Sequence, residues 1–267
     1  MKRTIVLATA LFFSLLPAFA QDWAKQSLDK SPRHQEWVQI KHDNRVVHAF
    51  IVYPETKGKA TAVVLIHEIF GLSDWMRSMA DQVAAAGYIA IVPDLLSGFG
   101  PNGGKSSDFP DRDAVVQAVF KLDPDTVTAD LNATADYVKK LPSANGKVAV
   151  GGFCWGGSQT FRLATNRHDL SAAFVFYGGA PKDVAPITAP VYGFYGEKDN
   201  RVTSTVSPTT DAMKQAGKKY DPVIYEGAGH GFMRSGQDPG GKEPEHEANQ
   251  KARDQAWQKW MSIMKSL

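Results

Sequence analysis

Six short apolar runs recur along this chain, and their form constrains its fold more than any other feature. They read AVVLIH (62–67), YIAIVP (88–93), KVAVGGF (147–153), AFVFYG (173–178), PVYGFYG (190–196) and PVIYEG (222–227). Most are continuous rather than alternating, as expected for strands buried on both faces of a parallel sheet. The segments between them have helical spacing. Trp75, Met76, Met79, Ala80, Val83 and Ala84 share one face, and Gly87 is placed to stop that helix. Asp123-Pro124 is a helix start, with the carboxylate at the cap and proline just inside. Val127, Leu131, Ala135, Val138 and Leu141 then mark a buried face, and Ala256, Trp260, Ile263, Met264 and Leu267 form a last stripe. These aromatics and methionines read as core. Upstream, EWVQIKH and VVHAFIVYP predict two strands joined by a turn at Asp43-Asn44. The pattern is about eight mostly parallel strands with helices on both faces, an α/β fold.

The first twenty residues, MKRTIVLATALFFSLLPAFA, have the layout of a secretory signal peptide. Lys2 and Arg3 form the positive end, Ile5 to Leu16 is apolar but too short to span a bilayer, and Ala18-Phe19-Ala20 suits a signal peptidase. The expectation is cleavage after Ala20, a single domain over residues 21–267, and a periplasmic or secreted protein. The whole chain carries a formal charge of +2, and losing Lys2 and Arg3 leaves the mature part formally neutral. No basic stripe points to nucleic acid, and no later segment is long and apolar enough for a membrane. Nothing indicates more than a monomer.

The polar stretch SGFGPNGGKSSDFPDRD (97–113) is the one long irregular segment. It follows a strand, and sites in α/β sheets form beyond the carboxyl ends of strands, so it is expected over the site as a flexible loop. Gly98 to Gly103 formally matches G-x-G-x-x-G, but Pro101 interrupts it and no helix follows. Gly104-Lys105-Ser106 resembles the end of a phosphate loop, but Phe99 stands where glycine is needed. Nucleotide binding is not the expectation here.

The only cysteine, Cys154, lies in GGFCWGG (151–157). One thiol cannot form an internal disulfide, and an isolated cysteine is often a small buried hydrophobe. Its surroundings argue otherwise. G-x-C-x-G between an apolar strand and the helix-like WGGSQTFRLATN has the context of a nucleophile elbow, with cysteine in place of serine. Such a turn lifts the nucleophile above the sheet at a helix N-terminus, where the dipole and free amides favour a thiolate and an oxyanion. An acid after a later strand and a histidine after the last complete the order. Asp199 follows PVYGFYG and His230 follows PVIYEG, each just beyond a strand, with Glu197 as the runner-up acid. His230 would relay the thiol proton, Asp199 would orient the imidazole, and Cys154 would form a thioester acyl-enzyme. The amide of Trp155 and one from the loop after AVVLIH would hold the oxyanion.

HEIFG (67–71), VPDL (92–95), GFCWGG (152–157), an aspartate after YG, and GHGF (229–232) together resemble the dienelactone hydrolase family of α/β hydrolases across nearly the whole mature chain. The resemblance implies that Glu68 contacts the nucleophile and that Ile69 supplies the second oxyanion amide. It also implies a substrate carboxylate bound by arginines. Arg234, four residues after His230, matches one of them, and a guanidinium suits bidentate carboxylate binding. The other is expected soon after PDL, where Leu96-Ser97-Gly98 offers none; Arg112 is the residue that could reach back. His67 would support the loop rather than take part in chemistry. The reading is a hydrolase of small ester or lactone substrates, with water as second substrate and neither metal nor cofactor. The alternatives are an exported thioester or peptide hydrolase, or a binding or redox-responsive protein on the same fold.

Overall fold

The computed structural model describes residues 22–267. The expected signal segment, residues 1–20, lies outside the described residues. The strands are β1 Gln35–His42, β2 Arg45–Val52, β3 Ala60–Ile66, β4 Ile89–Pro93, β5 Ala144–Phe153, β6 Ala172–Phe176, β7 Val191–Gly196 and β8 Tyr220–Tyr225. They form one eight-stranded sheet in the order β1-β2-β4-β3-β5-β6-β7-β8. The β1–β2 hairpin and the β2–β4 pair are antiparallel, and every later pairing is parallel. The hairpin turns at Asp43, whose φ of 45° is a left-handed conformation that aspartate tolerates.

The helices are α1 Asp22–Asp29, α2 Asp74–Ala85, α3 Arg112–Phe120, α4 Pro124–Lys139, α5 Trp155–Asn166, α6 Asn200–Thr203, α7 Val206–Gln215, α8 Phe232–Ser235 and α9 His246–Lys265. They cover both faces of the sheet. On one side α3, α4, α5 and α7 bury Val115, Leu131, Phe161 and Met213 among others. On the other, α1, α2 and α9 bury Leu28, Trp75, Met79 and Trp260. The period-two geometry of a strand divides β3 between these cores: Ala62, Val64 and Ile66 face one, Val63 and Leu65 the other. That is why its sequence has no polar alternation. Two helix boundaries fall where the sequence predicts. Gly87, at φ 100°, closes the chain beyond α2, and Asp123 caps α4 by accepting the Thr126 amide at 2.8 Å, a contact worth about 1 kcal/mol.

The chain enters the sheet's centre at β3, moves outward to β4, and then crosses back to β5 on the other side of β3. The direction of winding therefore reverses between β3 and β5. Outward-going connections leave a crevice beyond the carboxyl ends of these two strands. Residues 67–71 and Cys154 lie there.

The 97–113 segment differs from the flexible loop expected. It holds two short 3₁₀ turns, Pro101–Gly103 and Ser106–Asp108, and an isolated bridge between Gly100 and Gly104. Ser106 is buried. Its hydroxyl donates to Asp94 Oδ1 at 2.6 Å, its amide donates to Asp94 Oδ2 at 3.0 Å, and its Oγ accepts the Leu72 amide at 3.1 Å. The segment is thus pinned at its middle to the ends of β4 and of the HEIFG loop. It then becomes α3, capped by Asp111, which accepts the Ala114 amide at 2.8 Å. No helix opens directly after Gly98–Gly103, so the glycine pattern presents no helix N-terminus to a phosphate.

Candidate active site

Cys154 stands between the last residue of β5 and the first of α5, with φ 57° and ψ −119°. Such a conformation costs a non-glycine residue roughly 1–3 kcal/mol. The sheet holds it: the Cys154 amide donates to the Phe176 carbonyl at 3.0 Å, and the Cys154 carbonyl accepts the Gly157 amide at 3.0 Å. The flanking glycines are required by close approach. A Cβ on Gly152 would strike the carbonyl oxygen of Gly156, and one on Gly156 would strike the carbonyl oxygens of Ile66 and His67. The N-terminus of α5 is therefore pressed against the end of β3.

This contact gives a prediction with an unusual sign. Alanine in a helix is normally better than glycine by up to about 1 kcal/mol. Gly156→Ala is expected instead to destabilise by about 1–3 kcal/mol, because rigid backbone must shift to admit the methyl. Chemical denaturation of the two proteins checks this, and a stabilised variant would mean that the elbow is looser than described.

His230 follows β8 in a loop anchored by the Gly229 amide, which donates to Asn249 Oδ1 at 2.8 Å. Its Nε2 lies 3.0 Å from Cys154 Sγ, and its Nδ1 lies 2.5 Å from Asp199 Oδ2. Asp199 is buried beyond β7, at the start of α6. Since a carboxylate accepts, Nδ1 carries a proton and Nε2 faces the sulfur. The Tyr177 ring meets the imidazole edge-on, with centroids 5.1 Å apart. Burial pulls the His230 imidazolium down. The hydrogen bond to Asp199, the one to Cys154 and the charges of both outweigh that effect and raise its pKa to about 9. Glu197, the other candidate acid, points elsewhere: it is exposed and accepts the Gly227 amide at 2.9 Å.

Glu68 is buried beside this line of groups. Its Oε2 accepts Arg234 Nε at 2.8 Å, and no hydrogen bond joins it to Cys154 among the described residues. In this arrangement the carboxylate pairs with the guanidinium, and the sulfur pairs with the imidazole. The Glu68 charge holds Arg234 above its ordinary pKa despite burial. Arg234 and Arg112 approach the same ring, with their guanidinium carbons 5.3 Å and 3.7 Å from the Phe70 centroid. Burial and the neighbouring Arg234 charge push Arg112 down. The two arginines, Phe70, Ser107, Phe109 and Trp23 line a cleft of about 440 Å³.

Ile69 lies in the turn after β3, where the Gly71 amide donates to the Glu68 carbonyl at 3.3 Å. Trp155 is the first residue of α5, so its amide has no carbonyl of its own helix to meet. Two further residues at the site escape sequence reasoning. Tyr177 has φ 42° and is fully buried, and burial, then the Glu68 charge, lift its phenol well above the ordinary value. In the sequence it ends an aromatic run and looks like core. Phe70 reads as part of the HEIFG signature, with nothing to announce two cations against its ring.

Comparison with known proteins agrees with this architecture. The family described as "Dienelactone hydrolase family" matches residues 47–267. A provisionally named carboxymethylenebutenolidase of Escherichia coli (strain K12) is 30% identical over 192 residues, covering 67% of this chain and 69% of that protein. Carboxymethylenebutenolidase 1 of Cupriavidus pinatubonensis (strain JMP 134 / LMG 1197) is 31% identical over 185 residues, covering 67% of this chain and 78% of that protein. The crystal structure of a provisionally assigned dienelactone hydrolase from Klebsiella pneumoniae subsp. pneumoniae MGH 78578 superposes with a TM-score of 0.75 at 24% identity, covering 88% of this chain and 99% of that one. With the family's extent spanning all but the N-terminal part, and the sheet arranged as in its solved relatives, this chain belongs to the dienelactone hydrolase family of α/β hydrolases.

Proposed function

We propose that this hydrolase of ester and lactone bonds works through a thioester on Cys154, with His230 and Asp199 as its proton relay. The observation that carries the reading is the unbroken line from Sγ to Nε2 at 3.0 Å and from Nδ1 to Oδ2 at 2.5 Å, placed at the crevice between β3 and β5. His230 takes the thiol proton, and Sγ forms a bond to the substrate carbonyl carbon. The carbonyl electron pair moves to oxygen, where the amides of Ile69 and Trp155 receive it. The tetrahedral species collapses, the C–O bond to the leaving group breaks, and His230 returns the proton to that oxygen. Water then attacks the thioester while His230 accepts its proton, and collapse releases the acid and the thiol.

The forces on the His230 imidazole differ between the two halves. The charge of Cys154 and the hydrogen bond to it are among the forces that raise it to about 9. Acylation removes both, so the imidazole is less basic in the acyl-enzyme. It is then free to be neutral when water needs a base.

The substrate is a small ester or lactone, with Arg234 supporting a preference for a carboxylate on it. Arg112 brings a second guanidinium from the start of α3 rather than from the residues after PDL. Arg234→Ala is expected to raise KM about tenfold or more for esters carrying a carboxylate, since charge-assisted hydrogen bonds contribute about 1.5–3 kcal/mol. Neutral esters should change far less. A panel of esters and lactones, each with and without the carboxylate, reads this directly, and equal effects on both sets would remove Arg234 from substrate recognition. The signal pattern at residues 1–20 supports export, to the periplasm or beyond.

A further inference from the structure

We infer that His67 is a positioning residue that fixes both amides of the oxyanion hole, an inference that rests on the cysteine-hydrolase reading above. His67 is fully buried at the end of β3. Its Nδ1 lies 2.7 Å from the Glu68 carbonyl oxygen. A carbonyl can only accept, so Nδ1 carries the proton. That carbonyl belongs to the same peptide group as the Ile69 amide. Holding the oxygen end of this rigid plane fixes where its N–H end points. It also polarises the peptide, making the amide a better donor. The Gly71 amide reaches the same oxygen at the longer distance of 3.3 Å.

The other contact of the ring is with the second amide's residue. The imidazole stacks on the Trp155 indole, with centroids 5.5 Å apart and planes 19° apart. The carbonyls of Ile66 and His67 also abut Gly156, the next residue of α5. One side chain thus spans the gap between the β3 turn and the start of α5, the two elements that supply the donors. Its third feature is negative: Nε2 is buried with no hydrogen-bond partner among the described residues. Here only the Nδ1 proton and the ring face are used. Burial lowers the pKa of its imidazolium, and the Glu68 carbonyl, which can only accept, selects the Nδ1–H form.

The test compares two reactions of the same sulfur. Iodoacetamide alkylates Cys154 by displacing iodide at a saturated carbon, and no oxyanion forms. p-Nitrophenyl acetate acylates it through a tetrahedral oxyanion. His67→Leu removes the donor and the stacking ring. It is expected to slow acylation about 10²-fold through kcat, with alkylation within about twofold of wild type. His67→Asn places an amide N–H near the position of Nδ1 and should recover much of the acylation rate. His67→Gln carries its amide further out and should behave like leucine while remaining polar, so it supplies the same readout if the leucine variant does not fold. Wild-type acylation in His67→Leu or His67→Gln overturns the inference, and so does an equal fall in both reactions, which would mean a general loss of site structure. Absence of a Cys154-dependent acylation burst in the wild-type protein would instead overturn the cysteine-hydrolase reading itself.

Discussion

Cys154→Ala is expected to lower ester turnover by about 10⁵-fold or more, the scale seen when a nucleophile is removed from a unit that acts together. The burst of p-nitrophenolate from p-nitrophenyl acetate should vanish with it, and iodoacetamide should have no further effect on the variant. The fold should survive. The cysteine is partly exposed, its neighbours Gly152 and Gly156 make the close approach, and the turn is held by backbone bonds to Phe176 and Gly157. Alanine must still adopt φ near 57°, a strain cysteine already bears. A burst that persists in Cys154→Ala would place the acyl group on another residue.

Asp199→Asn should be the next most damaging change, costing about 10²–10⁴-fold in acylation. The physical reason is the tautomer. The carboxylate accepts from Nδ1 at 2.5 Å and leaves Nε2 free to take the thiol proton. An asparagine amide can instead donate to Nδ1, which moves the ring proton to Nε2 and blocks that transfer. The charge is lost too. With its folded pKa raised from 6.5 to about 9, the protonated form of His230 adds stability that is complete below about pH 6.5 and is lost as pH rises through about 9. Removing Asp199 takes away one of the forces behind that rise. The imidazolium's stabilising contribution should therefore be smaller in the variant, and its loss, which still starts near pH 6.5, should be complete at lower pH. Thermal melts across that range and acylation rates measured alongside check both parts. Glu197→Gln is the control, expected near wild type because its carboxylate serves only the Gly227 amide in the exposed turn. A reversal of the two outcomes would transfer the acid's role to Glu197.

What the sequence makes legible is what depends on neighbours along the chain. Continuous apolar runs reveal β3 to β7, helical stripes reveal α2, α4 and α9, and a cap with its proline reveals the start of α4. The order of Cys154, Asp199 and His230 can be read because each lies one short step past a strand, and strand ends are local features. Pairings across the fold are not legible. Arg234 finds Glu68 from 166 residues away, and neither local context names the other. Ser106 sits among glycine, serine and lysine, which read as solvated, yet its partner is the buried Asp94. The helix α3 escapes because only Val115 and Val119 of its nine residues are buried, too weak a stripe to notice. Tyr177 hides for the opposite reason: an aromatic at the end of an apolar strand looks ordinary until its backbone angle and neighbours are known.

The attachment of Ser106 to Asp94 and Leu72 divides the segment above the site into two halves with different freedoms. Residues 98–104 lie outboard of the pin, bridged at Gly100 and Gly104 and held to the rest of the fold by Phe99 under the Arg45 guanidinium. Lengthening or trimming them leaves the fixed point where it is, so such changes do not propagate to the cleft. Residues 107–112 lie inboard and end on the guanidinium that covers Phe70. Each residue inserted or removed there moves that cation relative to the sulfur. Changes at these six positions are therefore expected to alter which molecules the cleft accepts more than changes in the more conspicuous glycine-rich tip.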